Sequence, residues 1–183
     1  MKFYGDLETY SERPIKHGTY QYAEHCEVML FAYALEDGPV KVWDMTADAE
    51  TPEEIELAVS DPSCQWIFQN AMFDRSVLRY RRPDLCPPIE RWYDTMVQAL
   101  THSLPGALAK TGSILGLAEE DQKDVTGKDP MLLFCKPRPK NSKLRRATRE
   151  THPKEWVDFI EYARRDIVAM RQVHKKLPTW NYI

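Results

Sequence analysis

Cysteine is scarce in this chain, and what there is carries no pattern. The four residues Cys26, Cys64, Cys86 and Cys135 are scattered with no C-x-x-C pair, which points away from a zinc ribbon or a disulfide framework and toward buried or half-buried thiols. None of the five histidines forms an H-E-x-x-H or H-x-x-x-H pair, so any metal held here would need oxygen ligands. Long apolar runs are missing too: the longest, "VMLFAYAL", is far too short to span a bilayer, and "MKFYGD" at the N-terminus lacks the apolar stretch of a signal peptide. The expectation is a cytoplasmic protein with no membrane partner. Positive charge is not in excess, the formal net charge being -3, whereas a nucleic-acid binder usually shows a basic footprint.

What is present belongs to a globular domain. At 183 residues and 43% hydrophobic content the chain suits one domain with a sizeable core. Charge is unevenly placed: "CKPRPKNSKLRRATRE" carries Lys136, Arg138, Lys140, Lys143, Arg145, Arg146 and Arg149 against one acid, Glu150.

Residues 2–7 read as a first strand, followed by "CEVMLFAYAL" and "PVKVWDM", a hairpin-like pair joined by "EDG". "TPEEIELAVSD" predicts a helix capped by Thr51 with Pro52 at its first position. A short fourth strand, "SCQWIFQ", leads into the helical "NAMFDRSVLRYRRP", which Pro83 ends. "ERWYD" gives a fifth strand, then come helices over "TMVQALTHS" and from about Leu104 to Leu115, closing near Gly116. Residues 135–152 are expected to form a basic mobile loop. From Pro153 to about Lys176 an amphipathic helix presents Trp156, Phe159, Ile160, Ala163, Ile167 and Met170 on one broad face. Alternating strands and helices imply an α/β fold around a central mixed sheet, in a single domain over 1–183.

Within that frame, "FYGDLETYSE" puts Asp6 and Glu8 two apart, on one face of a strand. Two like charges in one patch are unfavourable unless water, a cation or a donor cluster separates them. Taken singly, most of these residues have an ordinary explanation, "DLETYSERP" as a solvated turn, Asn70 as an N-cap, Tyr162 as a core tyrosine and Asp166 as a surface acid, while Asp74, one turn into a helix that springs from a buried strand, is harder to dismiss. Taken together they form an ordered set, Asp6-x-Glu8, Asn70-x-x-x-Asp74 and Tyr162-x-x-x-Asp166, the last two each one helical turn apart on one face.

In this set and order the sequence resembles the DEDD superfamily of 3'-to-5' exonucleases, in its tyrosine-bearing subgroup. More closely, it is similar to the N-terminal proofreading domain of family A DNA polymerases of bacteriophage type. "DLETYS", "YQYAEH", "LFAYAL", "QNAMFDRSVL", "RWYDTMVQAL", "LPGAL", "LFCKPRP" and "YARRDIVAM" carry the likeness, which covers almost the whole chain. The resemblance implies an RNase H-like fold with a central mixed five-stranded sheet flanked by helices. It further implies two divalent cations, Mg²⁺ or Mn²⁺, held by Asp6, Glu8, Asp74 and Asp166, with Asp6 bridging both. Tyr162 would hold the attacking water together with Glu8; phenols, with a usual pKa near 10, make poor bases, so its implied role is orientation. Thr9 and Asn70 match positions near the terminal nucleotide, and Asp94 matches a family position that also reads as an N-cap. Two departures stand out: Gln69 replaces a common histidine, and Glu12 falls where relatives wedge the terminal base with an apolar residue, leaving Tyr10 as the substitute. Lys143, Arg145 and Arg146 would attract phosphates.

The activity so implied is hydrolysis at the 3' end of single-stranded DNA or a frayed primer, releasing nucleoside 5'-monophosphates. Two alternatives are an RNA 3' exonuclease of ribonuclease D type and a catalytically silent nucleic-acid-binding module. The length is too short for a whole polymerase, which leaves a free-standing nuclease or a domain with a polymerase region in cis or in trans. If its origin is a phage, the compartment is the cytoplasm of the bacterial host.

Overall fold

The computed structural model describes residues 1–117 and 130–178; the polar stretch 118–129 and the end of "LPTWNYI" lie outside the described residues. Five strands form one mixed sheet, β1 (Lys2–Tyr10), β2 (Glu27–Leu35), β3 (Lys41–Asp44), β4 (Gln65–Phe68) and β5 (Trp92–Asp94), in the order β3-β2-β1-β4-β5. β1 is central. It runs antiparallel to β2 and parallel to β4, which is parallel to β5.

The alternation of β1 sorts the protein into two layers. Phe3 and Leu7 enter a core with Phe31, Trp66 and Phe68, covered by α1 (Thr19–His25), α2 (Glu53–Ser60) and α3 (Ala71–Arg81). Tyr4 and Tyr10 enter the opposite core against α7 (Pro153–Lys176), whose buried residues include Trp156, Phe159, Ala163, Ile167 and Met170, as the periodicity predicts. The second layer is completed by α4 (Thr95–Thr101), α5 (Leu108–Ile114) and α6 (Pro130–Phe134), with Phe134 stacked on Phe159 at 5.1 Å. Gly5 sits where the Phe68 ring presses on β1, and a Cβ there would overlap that ring. Close approach, not turning, explains this glycine.

Several boundaries differ from the sequence expectation. β1 continues to Tyr10, because the supposed turn "DLETYSERP" supplies buried Leu7, Thr9 and Tyr10 to the sheet. "TYQYAEH" is a helix, α1, in which Tyr22 is buried and Tyr20 exposed. The first helical residue of α2 is Glu53, with Pro52 at the cap position, and the Thr51 hydroxyl instead accepts from Arg82 Nη2 at 3.0 Å. Among the described residues, no helix is long and apolar enough to cross a membrane.

Candidate active site

Asp6 and Glu8 share the parity of Tyr4 and Tyr10, so the sheet turns both carboxylates toward α7. The pairing slips between them and the strand end: Glu8 lies opposite Leu30 but Thr9 opposite Val28, an irregularity of the kind that re-aims side chains beside sites. From α7, Asp166 arrives between buried Ala163 and Met170. One carboxylate oxygen from each of Asp6, Glu8 and Asp166 lies within 4.8 Å of the others, and Glu8 and Asp166 are buried.

Asp74 reaches the same place from the opposite layer. It sits one turn into α3, buried, where its Oδ1 accepts the Leu7 N–H at 3.1 Å. Its carboxyl is held well above the usual range, by burial first and then by the charges of Asp6 and of Glu8. Burial first, and the like charges of Asp6 and Glu8 after it, both favour the protonated form.

The placement of Asp74 depends on how α3 begins. Asn70 takes the cap position in the left-handed region, φ 61°, but its side chain makes no cap bond; a short polar side chain tolerates that conformation. The cap comes from Asp94, whose carboxylate accepts the Asn70 N–H at 3.0 Å and the Ala71 N–H at 2.9 Å while also accepting Met96 N–H at 2.8 Å at the start of α4. One carboxylate thus serves two helix starts, which the N-cap reading of "YDT" captured for α4 alone. Gln69 is similarly tied, donating from Nε2 to Gly106 O at 2.8 Å and accepting from the Thr95 hydroxyl at 2.5 Å.

The remaining residues fall into two groups. Asp6, Asp166, Asn70 and Gln69 line a cleft of ≈ 410 Å³ together with Gly106, Leu108 and Met170. Tyr162, half-buried one turn before Asp166, packs against the α7-side core. Thr9 is buried, its hydroxyl 2.8 Å from Tyr22 OH. Beyond Glu8, the Arg146 guanidinium lies 4.0 Å from the centroid of the Tyr10 ring and bonds Glu27 Oε2 at 2.6 Å. Arg145 pairs with Glu12 at 3.6 Å, and Lys143 is exposed on the same segment. The basic segment is therefore docked on the ends of β1 and β2. One contact has no sequence signal at all: the Cys135 thiol, just after α6, lies 3.6 Å from Glu8 Oε2.

The donor set suits a hard divalent cation, since Asp6, Glu8 and Asp166 offer only carboxylate oxygens, with Asp74 behind them. A mixed five-stranded sheet flanked by helices, with acids toward the carboxyl end of its central strand, defines an α/β fold of RNase H-like type. No protein-family model matches the chain. It is, however, 32% identical over 178 residues to the DNA polymerase of Bacillus phage SP02, a match covering 94% of this chain and 27% of that protein. The chain thus spans about a quarter of that relative's length. Among solved structures, Brucella melitensis NrnC with bound Mg²⁺ has a TM-score of 0.58 at 15% identity, and NrnC bound to pGG 0.57 at 16%; each covers 95% of this chain and 70% of that one. The structural neighbours share the fold, and the sequence match lies within one part of a phage polymerase.

Proposed function

We propose that this chain is a metal-dependent 3'-to-5' exonuclease that removes nucleoside 5'-monophosphates from single-stranded DNA or a frayed primer end. The observation that carries the reading is the convergence of Asp6, Glu8 and Asp166 within 4.8 Å, at the edge of a cleft that Asn70 and Gln69 also line.

Divalent cations, when bound at these carboxylates, supply positive charge against the phosphate and lower the pKa of water. Mg²⁺ is the ion named in the NrnC structure, and Mn²⁺ meets the same oxygen donors. Asp6, Glu8 and Asp166 are the assigned ligands, with Asp74 completing the set from α3. Tyr162, one helical turn from Asp166, orients the attacking water by its hydroxyl, with Glu8 accepting the water's other hydrogen bond. Asn70 and the apolar wall of Leu108 and Met170 seat the terminal nucleotide in the cleft. Arg146, seated on the Tyr10 ring, and its neighbour Arg145 hold the strand behind.

Kinship with part of a phage polymerase supports DNA and a polymerase region as partner, in cis or in trans. A second reading draws on the NrnC complex with pGG: a short oligonucleotide, of DNA or RNA, is then the substrate. The test is digestion of 5'-labelled single-stranded DNA, beside the matched RNA, with Mg²⁺ or Mn²⁺, an EDTA control and an Asp6→Ala, Glu8→Ala double variant. A ladder shortening from the 3' end only with metal and intact acids is expected. Uncut strands from folded protein would leave a binding module, and faster digestion of a dinucleotide than of the longer strand, DNA or RNA, would select the second reading.

A further inference from the structure

A second cleft, ≈ 470 Å³, opens past the carboxyl end of β1 and is lined by Tyr10, Ser11, Glu12, Arg13, Arg81 and Arg146, with His25, Cys26 and Glu27 closing it. It is separate from the cleft beside Asp6, yet Tyr10 in its wall follows Glu8 by two residues, roughly 7 Å along β1. Its parts come from four places in the chain: the end of β1, the junction of α1 with β2, the last turn of α3, and the basic segment.

The charges are arranged rather than merely numerous. Glu27 is engaged by Arg146, and Glu12 by Arg145. Arg13 and Arg81 add positive charge to the walls, Arg81 donating only a long 3.3 Å bond to Glu24 O. The cleft is therefore cationic after its own acids are matched. Arg146 is also held in place: its guanidinium carbon lies 4.0 Å from the centroid of the buried Tyr10 ring while its Nη1 donates to Glu27 Oε2. A planar cation pinned over an aromatic ring, one face toward a cationic cleft, is a platform for an unpaired base.

We infer that this cleft is a subsite for a nucleotide upstream of the scissile phosphate, whose base stacks on Arg146 and whose phosphate is met by Arg13 and Arg81. The inference rests on the nuclease reading for which end of the strand is held, but its ligand is any single-stranded nucleic acid. Stacking gives grip without sequence choice, since every base has a π-face. Glu12, at the rim and tied to Arg145, then orders the basic segment instead of wedging a base.

The test is fluorescence anisotropy of the full chain with a labelled oligothymidylate and with its abasic counterpart, in EDTA so that nothing is cut. Arg146→Lys keeps the charge and loses the plane: affinity for the base-bearing strand should fall about tenfold with an unchanged salt dependence, and affinity for the abasic strand should hold. Arg13→Ala with Arg81→Ala, both at the surface, should weaken both strands and flatten the salt slope by about one for each phosphate no longer neutralised. Equal weakening on base-bearing and abasic strands for Arg146→Lys, or wild-type affinity in either variant, would overturn the subsite. Digestion by the wild-type chain with Mg²⁺ is scored separately: its absence sinks the nuclease reading and leaves the anisotropy result to decide the subsite.

Discussion

The thiol of Cys135 points at the carboxylate of Glu8, 3.6 Å from Oε2, in a buried position beside the acid cluster. Glu8 is thereby steered by a weak donor that costs it no charge, leaving it an acceptor for a cation. We expect Cys135→Ala to lower kcat about fivefold, the equivalent of roughly 1 kcal/mol of positioning, and to raise the Mg²⁺ concentration needed for half-activity. Cys135→Ser should recover much of both. Identical metal titrations for wild type and Cys135→Ala would show the contact to be packing only.

Asp74 predicts a pH-dependent cost in the metal-free protein. Its folded-state pKa is raised by burial, Asp6 and Glu8, so the native state binds its proton more tightly than the unfolded chain, where the value is near 3.9. Stability then falls as pH rises from about 4 through the raised value. Asp74→Asn should melt higher than wild type at neutral pH in EDTA, with the difference vanishing toward pH ~4. Equal melting temperatures at pH 7 would refute the raised pKa of Asp74.

His174 carries the opposite sign. Burial, then Lys2 and Lys175, pull its pKa down to about 4, and its Nδ1 lies 2.9 Å from Tyr4 OH. The unfolded chain, with a value near 6.5, takes up the proton first, so stability is full above about 6.5 and is lost as pH falls toward the depressed value. Denaturant titrations at pH 7 and pH 5 should show a drop in wild type that is smaller in His174→Gln.

Asp94 links stability to activity. Replacing it by Ala leaves the N–H groups of Asn70, Ala71 and Met96 without their carboxylate, a cost of about 2–3 kcal/mol for two caps. Activity should fall even at temperatures where the variant is fully folded, since α3 carries Asp74. A destabilised variant with wild-type kcat would confine Asp94 to a structural role.

Tyr162→Phe isolates the hydroxyl. The ring keeps its packing against the α7-side core, so the melting temperature should hold while kcat falls roughly 10- to 100-fold, within the span of proton-handling groups. A variant with full activity would remove Tyr162 from the water's surroundings.

Much of this was legible in the residues. The period of two places Asp6 and Glu8 on one face, and the period of 3.6 draws α7 at its observed length with its apolar stripe inward, because both rest on local geometry. The site's supports are non-local and left no such trace. Cys135 has no partner spacing, and the second duty of Asp94 depends on β4 and β5 lying side by side. α1 stayed hidden because its polar face dilutes the apolar signal of Tyr22 and Ala23. The docking of Arg146 on Tyr10 joins distant segments whose charges, read linearly, suggest only a loose loop.

The packing of α7 on β1 ties the acid cluster to the last stage of folding. Its acids belong to β1 and α7, so they meet only after the loop-closure entropy of the long segment between them has been overcome. No fragment lacking β1 or α7 can assemble the cluster, and a cation bound across it would report on their docking rather than on local structure. On the proposed reading, hydrolytic competence waits for α7: a chain whose α7 has not docked on β1 is silent toward nucleic acid cleavage, and the latency is written into the topology.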